Sequence, residues 1–380
     1  MTNPRVLFCR SNPIAPDPRV EKEARSLSNA GYTVRILGWD RSGALPYKEE
    51  VEGFTIQRLS IKAGFGKGMM NLPQLLRWQI GLVMWLVRHH KEFDIIHACD
   101  FDTLIPAMIC KKLWGKKVIY DIFDFYADHL RSTPEFIKRM IKSVDLKMID
   151  RVDAVILADE SRRQQIAEAH PKRIVVIYNS PQDVMSNLTA MQTTRRHHDL
   201  EIAYIGLLQV ERGLLELLEV LKNHPEWTLL LAGFGGDEKR ILEAAESMTN
   251  VFWFGRVSYE RALQLSYDTD VLIATYDPAI PNHRFSSPNK LFEAMMLGKP
   301  IIVAQGTNMD SIVEQLDCGV VIEYGDVRAL EEILVRMQFN PQFRRQLGLN
   351  ARNAYEQVFN WSRMEERLIK LYKRIASSNK

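Results

Sequence analysis

The chain has 380 residues, which is enough for two or three domains that each bury a core of their own. A hydrophobic content of 46% is ordinary for a globular protein, and a net charge of +3 is too small to indicate a nucleic-acid-binding protein. Three of the four cysteines, Cys9, Cys99 and Cys110, lie in or beside apolar runs without C-x-x-C spacing, which favours reduced core thiols in a cytoplasmic protein.

Short apolar runs and helical patterns alternate through the first half of the chain. Strands are predicted over 6–9, 34–39, 55–60, 95–98, 117–123, 154–158 and 174–178. Helices are predicted over 19–30 and 72–91, the second with apolar residues at helical spacing. Such alternation is typical of an α/β domain with a parallel sheet.

A second alternating series follows a polar stretch that has no periodicity. This stretch, 184–199, is predicted to be a linker between domains over 1–183 and 200–358. Strands are predicted over 201–208, 228–233, 251–255, 271–276, 301–304 and 319–323, and helices over 211–222, 326–338, 341–358 and 362–375. The pattern predicts two Rossmann-like domains that face a central cleft, with ligand at the carboxyl ends of the strands.

The stretch FSSPNKLFEAMMLGKP, residues 285–300, lies between two predicted buried strands. Ser287 occupies an N-cap position, Pro288 the first helical position, and Gly298 the position after the helix. Lys290 falls in the first turn, where the helix dipole disfavours a cation unless an anion such as phosphate lies there. Glu293 follows on the same face, which suits a nucleotide-sugar site. A capped surface helix with an ordinary Lys/Glu pair explains the same residues equally well.

The segment PNKLFEAMMLGKPIIV resembles the donor-site helix of glycosyltransferase family 4. Further resemblances to this family are carried, in chain order, by DPRVEKEARSLSNAGYTVRIL, RVDAVILADESRRQQI, IGLLQVERGLLELLEVL, LLLAGFGGDE, VFWFGRVSYERALQLSYDTDVLIATY, CGVVIEYGDVRALEEIL and FNWSRMEERLIKLYKRI. The resemblance implies the GT-B fold, with a C-terminal helix over 359–380 that returns to the first domain. It also implies a nucleotide-diphosphate sugar as donor, transfer with retention, and no cofactor.

The resemblance also implies roles for residues of the second domain. Glu293 matches the second carboxylate of the family's Glu-x7-Glu motif, which holds the ribose, whereas the first is replaced by Phe285. Arg212 matches the position of a family lysine that binds the diphosphate, although a solvated charge in the first turn of a helix also explains it. We expect Arg212 and Lys290 to stabilise the leaving diphosphate and both to be catalytic. A further family arginine, next to Gly206, is replaced by Leu207.

Other residues of the second domain are expected to contact the donor nucleotide. Gly233 and Gly235 follow a strand as an incomplete dinucleotide fingerprint, although a tight turn explains them equally well. The resemblance places them near the nucleoside, with Arg256 at the end of the next strand. The full expected set is Gly206, Gly233, Gly235, Arg256, Ser286, Ser287, Asn289, Leu291 and Glu293.

In the first domain, the candidate residues follow strand ends. The position of a family histidine that contacts the sugar is taken by Phe123, and Asp124 beside it is expected to orient a sugar or acceptor hydroxyl. Arg19 and Asp17 are candidates for the acceptor side, because Arg19 opens the helix that follows a proline-rich loop without glycine. A surface position explains Arg19 equally well.

A metal site is not expected. Asp100 and Asp102 match the D-x-D pattern of metal-dependent GT-A transferases, and His97 lies nearby. The pattern is short and frequent by chance, and Asp102 is explained as the N-cap of a helix that starts at Thr103. No histidine set has metal-ligand spacing.

The helix at 72–91 has two alternative interpretations. It carries Trp78 and Trp85 and has a basic end, which suits either a core helix or an interfacial helix that docks on anionic lipid. Its apolar run, 80–87, is far shorter than the roughly 20 residues that span a bilayer. The start of the chain enters a strand directly, so we expect no signal peptide.

The function expected from the resemblance is transfer of a hexosyl residue to a saccharide or lipid-linked glycan, as in polysaccharide biosynthesis. The enzyme would work in the cytoplasm, and the interfacial helix would bring it to the inner face of the cell membrane. Two alternatives stay open at this stage. One is another GT-B enzyme, such as an epimerase or phosphorylase, and the other is a non-catalytic nucleotide-sugar-binding subunit, suggested by Phe123, Leu207 and Phe285.

Overall fold

The computed structural model describes residues 4–64, 72–129, 133–190 and 200–377. The chain divides into two compact units, one formed by Met1–Tyr178 with Met364–Lys380 and the other by Asn179–Arg363. The first boundary therefore precedes the predicted linker 184–199. Tyr355 donates a hydrogen bond to the Pro181 carbonyl oxygen (3.0 Å), and Arg352 donates one to Asp183 (3.1 Å). These bonds attach the segment around Pro181 and Asp183 to the second unit. Residues 191–199 of that linker lie outside the described residues.

Each unit contains a mainly parallel sheet. The strands of the first are β1 Arg5–Arg10, β2 Thr33–Asp40, β3 Lys48–Val51, β4 Phe54–Ser60, β5 Ile95–Cys99, β6 Lys117–Ile122, β7 Ala154–Leu157 and β8 Ile174–Val176. Those of the second are β9 Leu200–Leu207, β10 Trp227–Phe234, β11 Val251–Trp253, β12 Val271–Ala274, β13 Ile301–Ala304 and β14 Gly319–Ile322. Within the described residues the strand orders are β3-β4-β2-β1-β5-β6-β7-β8 and β11-β10-β9-β12-β13-β14.

Helices connect the strands as the alternating pattern predicts. In the first unit they are α1 Pro18–Asn29, α2 Leu72–Arg88, α3 Phe101–Trp114, α4 Tyr126–His129 and α5 Glu135–Ile149, with α15 Trp361–Ser377 reaching it at the end of the chain. In the second unit they are α6 Met185–Ala190, α7 Leu214–Asn223, α8 Glu238–Ala245, α9 Tyr259–Asp268, α10 Pro281–Arg284, α11 Asn289–Leu297, α12 Met309–Leu316, α13 Val327–Phe339 and α14 Pro341–Ala354. The predicted helix 341–358 ends earlier because a π-helical turn, Tyr355–Phe359, follows α14.

Strand β3 was not predicted, and its sequence explains why. It reads KEEV, pairs antiparallel with β4 at the edge of the sheet, and is mostly exposed. The parallel strands, by contrast, are covered on both faces, and β5, β7, β12 and β13 are buried along their whole length. Charged side chains protect a sheet edge from further pairing but produce no apolar run to recognise.

Helix α2 is a core helix on one face. Trp78 stacks on Trp39 with the ring centroids 5.3 Å apart and donates a hydrogen bond from Nε1 to Ser11 Oγ (3.1 Å), and Trp85 is also buried. The two tryptophans therefore cannot be the lipid-facing residues of an interfacial helix. The opposite face carries exposed aliphatic side chains at Leu72, Leu76, Ile80, Met84 and Val87. Among the described residues, no helix has the length and apolar character that crossing a membrane requires.

A buried ionic cluster joins the parts of the first unit. From α1, Arg19 contacts Asp121 Oδ1 (3.0 Å) and Glu23 Oε1 (3.3 Å) and donates to the Ile177 carbonyl oxygen (2.8 Å). His97 is hydrogen-bonded through Nε2 to Asp121 Oδ2 (3.3 Å) and through Nδ1 to the Tyr372 hydroxyl (2.7 Å) of α15. The cluster thus links strands β5 and β6 to the first and last helices of this unit.

The cluster also sets a pH dependence of stability. Burial raises the pKa of Glu23 to about 8, against the attraction of Arg19. A carboxyl group whose pKa is raised in the folded state stabilises the fold below its unfolded pKa and loses that contribution as pH rises through the folded pKa. The charged or titratable groups around Glu23 are Asp17, Arg19, Lys22, His97, Asp121 and Tyr372.

We therefore expect Glu23→Gln to flatten the stability profile. The free energy of unfolding of the unmodified protein should fall between about pH 5 and about pH 8, and the variant should lose most of that fall. Denaturant unfolding at several pH values measures this difference. Glu52→Gln, which changes an exposed carboxylate in the same unit, is the matched control. Parallel profiles for the unmodified protein and Glu23→Gln would contradict the assignment.

Candidate active site

Two glycines allow the ends of β9 and β10 to approach closely, and a third lies beside Lys290. A Cβ atom on Gly233 would lie 1.8 Å from the Gly206 carbonyl oxygen, and one on Gly235 would lie 2.1 Å from the Leu208 carbonyl oxygen. Gly206 has φ +154°, and a Cβ there would stand 3.6 Å from Lys290 Nζ. Gly233 and Gly235 thus serve a tight backbone contact, and Gly206 lies beside the Lys290 ammonium group.

Helix α11 begins one residue later than predicted. Pro288 holds the N-cap position with φ −74° and ψ 145°, so Ser287 is not the cap and Pro288 is not the first helical residue. The backbone stays extended through Pro288, and the Ser287 carbonyl oxygen accepts a hydrogen bond from Asn179 (3.2 Å). Gly298 ends the helix in the left-handed conformation, as the sequence predicts.

Lys290 is a buried cation whose ammonium group makes no hydrogen bond within the described residues. Its exposure is 9%, and Nζ lies 3.3 Å from the centroid of the Tyr204 ring. The ring is held in place because the Tyr204 hydroxyl donates to the Leu207 carbonyl oxygen (2.7 Å). Burial, and then the charge of Arg212, hold the pKa of Lys290 well below its ordinary value. The Glu293 carboxylate acts in the opposite direction, but a buried ammonium group without a hydrogen bond stays costly unless a ligand pairs with it.

Arg212 lies on a second aromatic ring near Lys290. It ends a 3₁₀ turn, Val210–Arg212, and its guanidinium carbon is 3.8 Å from the Tyr276 ring centroid. The predicted helix 211–222 begins only at Leu214, because Gly213 adopts a left-handed conformation where a Cβ would meet Thr275 Oγ1 at 2.1 Å. Two cations on two tyrosine rings form a positively charged site at the carboxyl ends of β9 and β12.

Glu293 lies one turn after Lys290 and is half-buried. Burial, and then the negative charge of the Glu293 carboxylate, raise the pKa of Tyr259, the first residue of α9. The neighbouring candidates in α11 differ in what they can offer. Asn289 is exposed, whereas the Leu291 side chain is fully buried and its backbone N–H donates to the Pro288 carbonyl oxygen (3.1 Å). Leu291 therefore lacks a free group for a nucleotide.

Two more candidates lie near these residues in the chain. Ser286 donates to the Asn282 carbonyl oxygen (3.3 Å), which turns the loop before α11. Arg256 is exposed, and its guanidinium carbon lies 4.6 Å from the centroid of the Phe234 ring. Phe234 and Leu207 are paired across β10 and β9 and are 47% and 43% exposed. Arg256 therefore lies over an exposed apolar surface at the strand ends.

The first-unit candidates mostly have structural partners. Asp17 caps α1 by accepting from the Val20 N–H, and Arg19 belongs to the buried ionic cluster, so the alternative of a surface position for Arg19 is wrong. Asp124 accepts a hydrogen bond from Arg162 (2.8 Å) but stays partly exposed. The expected roles of Asp17, Arg19 and Asp124 in acceptor binding or catalysis stay predictions.

The D-x-D residues and His97 also have structural explanations. Helix α3 starts at Phe101, so Asp102 lies in its first turn and is not the N-cap. Asp100 occupies the cap position and instead accepts from the Phe123 N–H (3.0 Å). Among the described residues, Glu23, His97 and Asp121 have the spacing of metal ligands, but Arg19 and Tyr372 already pair with this group.

Sequence reasoning missed the three tyrosines of the site, Tyr204, Tyr259 and Tyr276. Aromatic residues in or after apolar strands are usually core residues, so Tyr204 and Tyr276 carried no separate signal. Tyr204 does lie two positions before Gly206, on the same face of its strand, which would have been the only indication in the sequence. The cation–π contacts appear only when the strand ends are brought together.

Two protein-family models match the chain. The model described as Glycosyltransferase Family 4 matches residues 19–180, and that described as Glycosyl transferases group 1 matches residues 189–354. An uncharacterized glycosyltransferase of Methanocaldococcus jannaschii is 21% identical over 320 residues, which cover 77% of this chain and 80% of that protein. These matches favour a glycosyltransferase over the other enzymes and the non-catalytic subunit that the sequence left open.

Solved structures show the same fold. Sucrose-phosphate synthase from Thermosynechococcus elongatus superposes with a TM-score of 0.79 at 15% identity, covering 98% of this chain and 100% of that one. Anabaena HepE in complex with UDP-glucose gives a TM-score of 0.70 at 15% identity, covering 99% of both chains. With its two parallel-sheet units and the two family matches, this chain belongs to the family 4 type of GT-B glycosyltransferases, enzymes that act on nucleotide sugars.

Proposed function

We propose that the enzyme transfers a hexosyl residue from a nucleotide-diphosphate sugar to a saccharide or lipid-linked glycan, with retention and without a metal or other cofactor. The observation that carries this proposal is the buried ammonium group of Lys290, which has no hydrogen-bond partner among the described residues. A diphosphate is the donor group whose negative charge grows as the glycosidic bond breaks. The UDP-glucose bound in the HepE structure is a ligand of this class.

Arg212 and Lys290 would stabilise the leaving diphosphate together. Both are fixed on tyrosine rings, so little reorganisation is needed when charge develops. Fixed cations supply the charge that a divalent metal supplies in other transferases, which supports a metal-free reaction. Glu293, one turn further along α11, would hold the ribose, which does not react.

The acceptor is proposed to carry hydroxyl groups that bind carboxylates of the first unit. Asp124 follows β6 and Asp102 lies in the first turn of α3 after β5, so both lie at the carboxyl end of the first sheet. The Asp124 side chain is 44% exposed although Arg162 contacts it, and it can accept a further hydrogen bond from a sugar. These groups support a saccharide acceptor, as expected in the synthesis of a polysaccharide or other glycan.

Lys290→Ala and Glu293→Gln should have different kinetic effects. Loss of Lys290 removes stabilisation that is larger in the transition state, so kcat should fall roughly a hundredfold or more. Glu293→Gln should weaken binding of donor and of free nucleotide diphosphate in parallel, by about 1.5–3 kcal/mol. Steady-state kinetics and calorimetric titration measure the two effects. Unchanged nucleotide affinity in folded Glu293→Gln would show that this carboxylate acts elsewhere.

Diphosphate binding should be linked to proton uptake. Because burial and Arg212 lower the pKa of Lys290, an anion that pairs with Lys290 should raise that pKa again, and nucleotide affinity should fall as pH rises between the two values. Titration of UDP in buffers with different ionisation enthalpies measures the protons taken up. Lys290→Met, which keeps the length of the side chain, is the control for protons that the phosphate itself binds. Equal uptake in both proteins would exclude Lys290 as the group that is protonated.

We also propose that the exposed face of α2 docks on anionic lipid, at the inner face of the cell membrane. The exposed aliphatic residues of this face recur every three or four positions, and Arg77 and Arg88 on the same helix are also exposed. An apolar face beside cationic side chains suits a helix that lies in the interface of a negatively charged membrane. The occupant we propose is the lipid surface itself, where a lipid-linked acceptor would be found.

Ile80→Asp should therefore reduce cosedimentation with phosphatidylglycerol-containing vesicles, because it places a charge in the apolar face without disturbing the buried tryptophans. Leu349→Asp is the matched control, since Leu349 is 49% exposed in the second unit, compared with 52% for Ile80. The loss should be specific to Ile80→Asp. Equal binding of both variants and the unmodified protein would show that this face does not meet the membrane.

A further inference from the structure

Helix α5 of the first unit carries a stripe of exposed side chains along its outer side. On its inner side, Asp145 and Ile149 are fully buried, which fixes how the helix is turned. The exposed residues recur every three or four positions and therefore share one side of the helix. They are Phe136, Arg139, Met140, Ser143 and Lys147, and we call them the outer stripe of α5.

Two residues of the outer stripe are large and apolar. The Phe136 side chain is 71% exposed and that of Met140 is 59% exposed. They lie four positions apart, so their side chains are neighbours on the helix surface. Single exposed apolar residues are common, but neighbouring ones beside polar groups are typical of a surface that meets a partner.

The charges of the outer stripe are all positive. Arg139 and Lys147 are exposed, and none of the five stripe residues is acidic. The Glu135 carboxylate lies 4.0 Å from Arg139 Nε, but Arg139 is 80% exposed and an ion pair of this kind contributes little. An apolar pair between two cations complements a surface that is apolar below a negatively charged layer, as an anionic membrane is.

Helix α5 lies in the same layer as α2. Helix α3 packs against both of them, and residues of all three, such as Trp85, Leu104 and Ile149, belong to one hydrophobic core cluster. The three helices therefore cover the same side of the first sheet. Since packed neighbouring helices lie about 8–10 Å apart, the outer sides of α2 and α5 can rest on one plane.

We propose that the outer stripe of α5 is a second lipid-contacting surface of the first unit. Phe136 and Met140 enter the boundary between headgroups and acyl chains, and Arg139 and Lys147 bind anionic headgroups. This inference rests on the proposed function, in which the exposed face of α2 docks on anionic lipid. Two lines of contact fix the tilt of the first unit on the membrane, whereas one helix leaves the unit free to rotate about the helix axis.

Cosedimentation with phosphatidylglycerol-containing vesicles tests the apolar part of the stripe. Phe136→Asp should weaken vesicle binding at least about fivefold, because it replaces buried apolar surface with a charge that the lipid repels. Phe339→Asp is the matched control, since Phe339 is 77% exposed in the second unit, and it should bind as the unmodified protein does. The losses caused by Ile80→Asp and Phe136→Asp should multiply in the double variant, because the two sites are separate.

A second pair of variants tests the charges. Arg139→Gln combined with Lys147→Gln should weaken binding to the same vesicles about 5- to 30-fold, since each cation near an anionic surface contributes roughly fivefold. Arg328→Gln combined with Lys239→Gln removes the same charges from exposed positions of the second unit. An equal loss in this control pair would show that net charge alone drives binding and would overturn the inference.

A fluorescent label reports whether the stripe enters the lipid. The four native cysteines are buried, so Phe136→Cys can be labelled selectively with an environment-sensitive dye such as NBD. Its emission should rise and shift to shorter wavelength when the protein binds phosphatidylglycerol-containing vesicles, whereas the emission of labelled Phe339→Cys should stay constant. Constant emission from position 136 in vesicle-bound protein would overturn the inference.

The remaining outcomes separate this inference from the proposed function. If the unmodified protein does not bind phosphatidylglycerol-containing vesicles, the proposed lipid docking fails and this inference fails with it. If Ile80→Asp reduces binding and Phe136→Asp does not, this inference alone fails. If light scattering shows that Phe136→Asp converts a dimer into a monomer while vesicle binding is unchanged, the stripe is a contact between two copies of the chain and the inference is overturned.

Discussion

The second unit depends on one electrostatic constraint, the burial of a lysine ammonium group without a hydrogen-bond partner among the described residues. Lys290 lies in the first turn of α11, where the helix dipole already disfavours a cation, and Arg212 adds a second positive charge nearby. The rings of Tyr204 and Tyr276 compensate only part of this cost, since a cation–π contact contributes roughly 0.5–2 kcal/mol. An anionic ligand can offset the remaining cost of burying the charge when it binds. The site therefore favours ligand affinity at the expense of folding stability.

In the first unit, by contrast, the buried charges are paired with one another. Arg19 contacts two carboxylates, and the raised pKa of Glu23 leaves one of them largely protonated near neutral pH, so that the group approaches charge balance. Tyr372 brings the last helix to this cluster through His97. Internal pairing explains why a set of residues with metal-ligand spacing is better described as a structural element than as a metal site.

The sequence predicted the alternating elements, because they depend on local patterns. Local patterns and the family resemblance also singled out Lys290, Arg212 and Glu293, whose roles stay predictions. It placed the start of α11 one residue early, since Pro288 fits both the cap and the first helical position locally and only the extended backbone decides. It left the helix that carries Trp78 open between a core and an interfacial position, because helical spacing shows that a face is apolar but not which of two apolar faces meets the core. It could not find Tyr259, which lies 34 positions before Glu293 in the chain and comes near that carboxylate only through the packing of α9 on α11.

Departures from the family pattern leave fewer charged residues in the site. Where the family has an arginine after the strand glycine, this chain has Leu207, paired with Phe234 as an exposed apolar surface beside Lys290. In the reaction that we propose, one cation fewer at the strand end would leave Arg212 and Lys290 to balance the leaving group. A desolvated charge interacts more strongly than a hydrated one, so the burial that lowers the pKa of Lys290 would also strengthen its interaction with that group. Burial by tyrosine rings would thus offset the loss of an additional cation, because it would make the two that are present more effective.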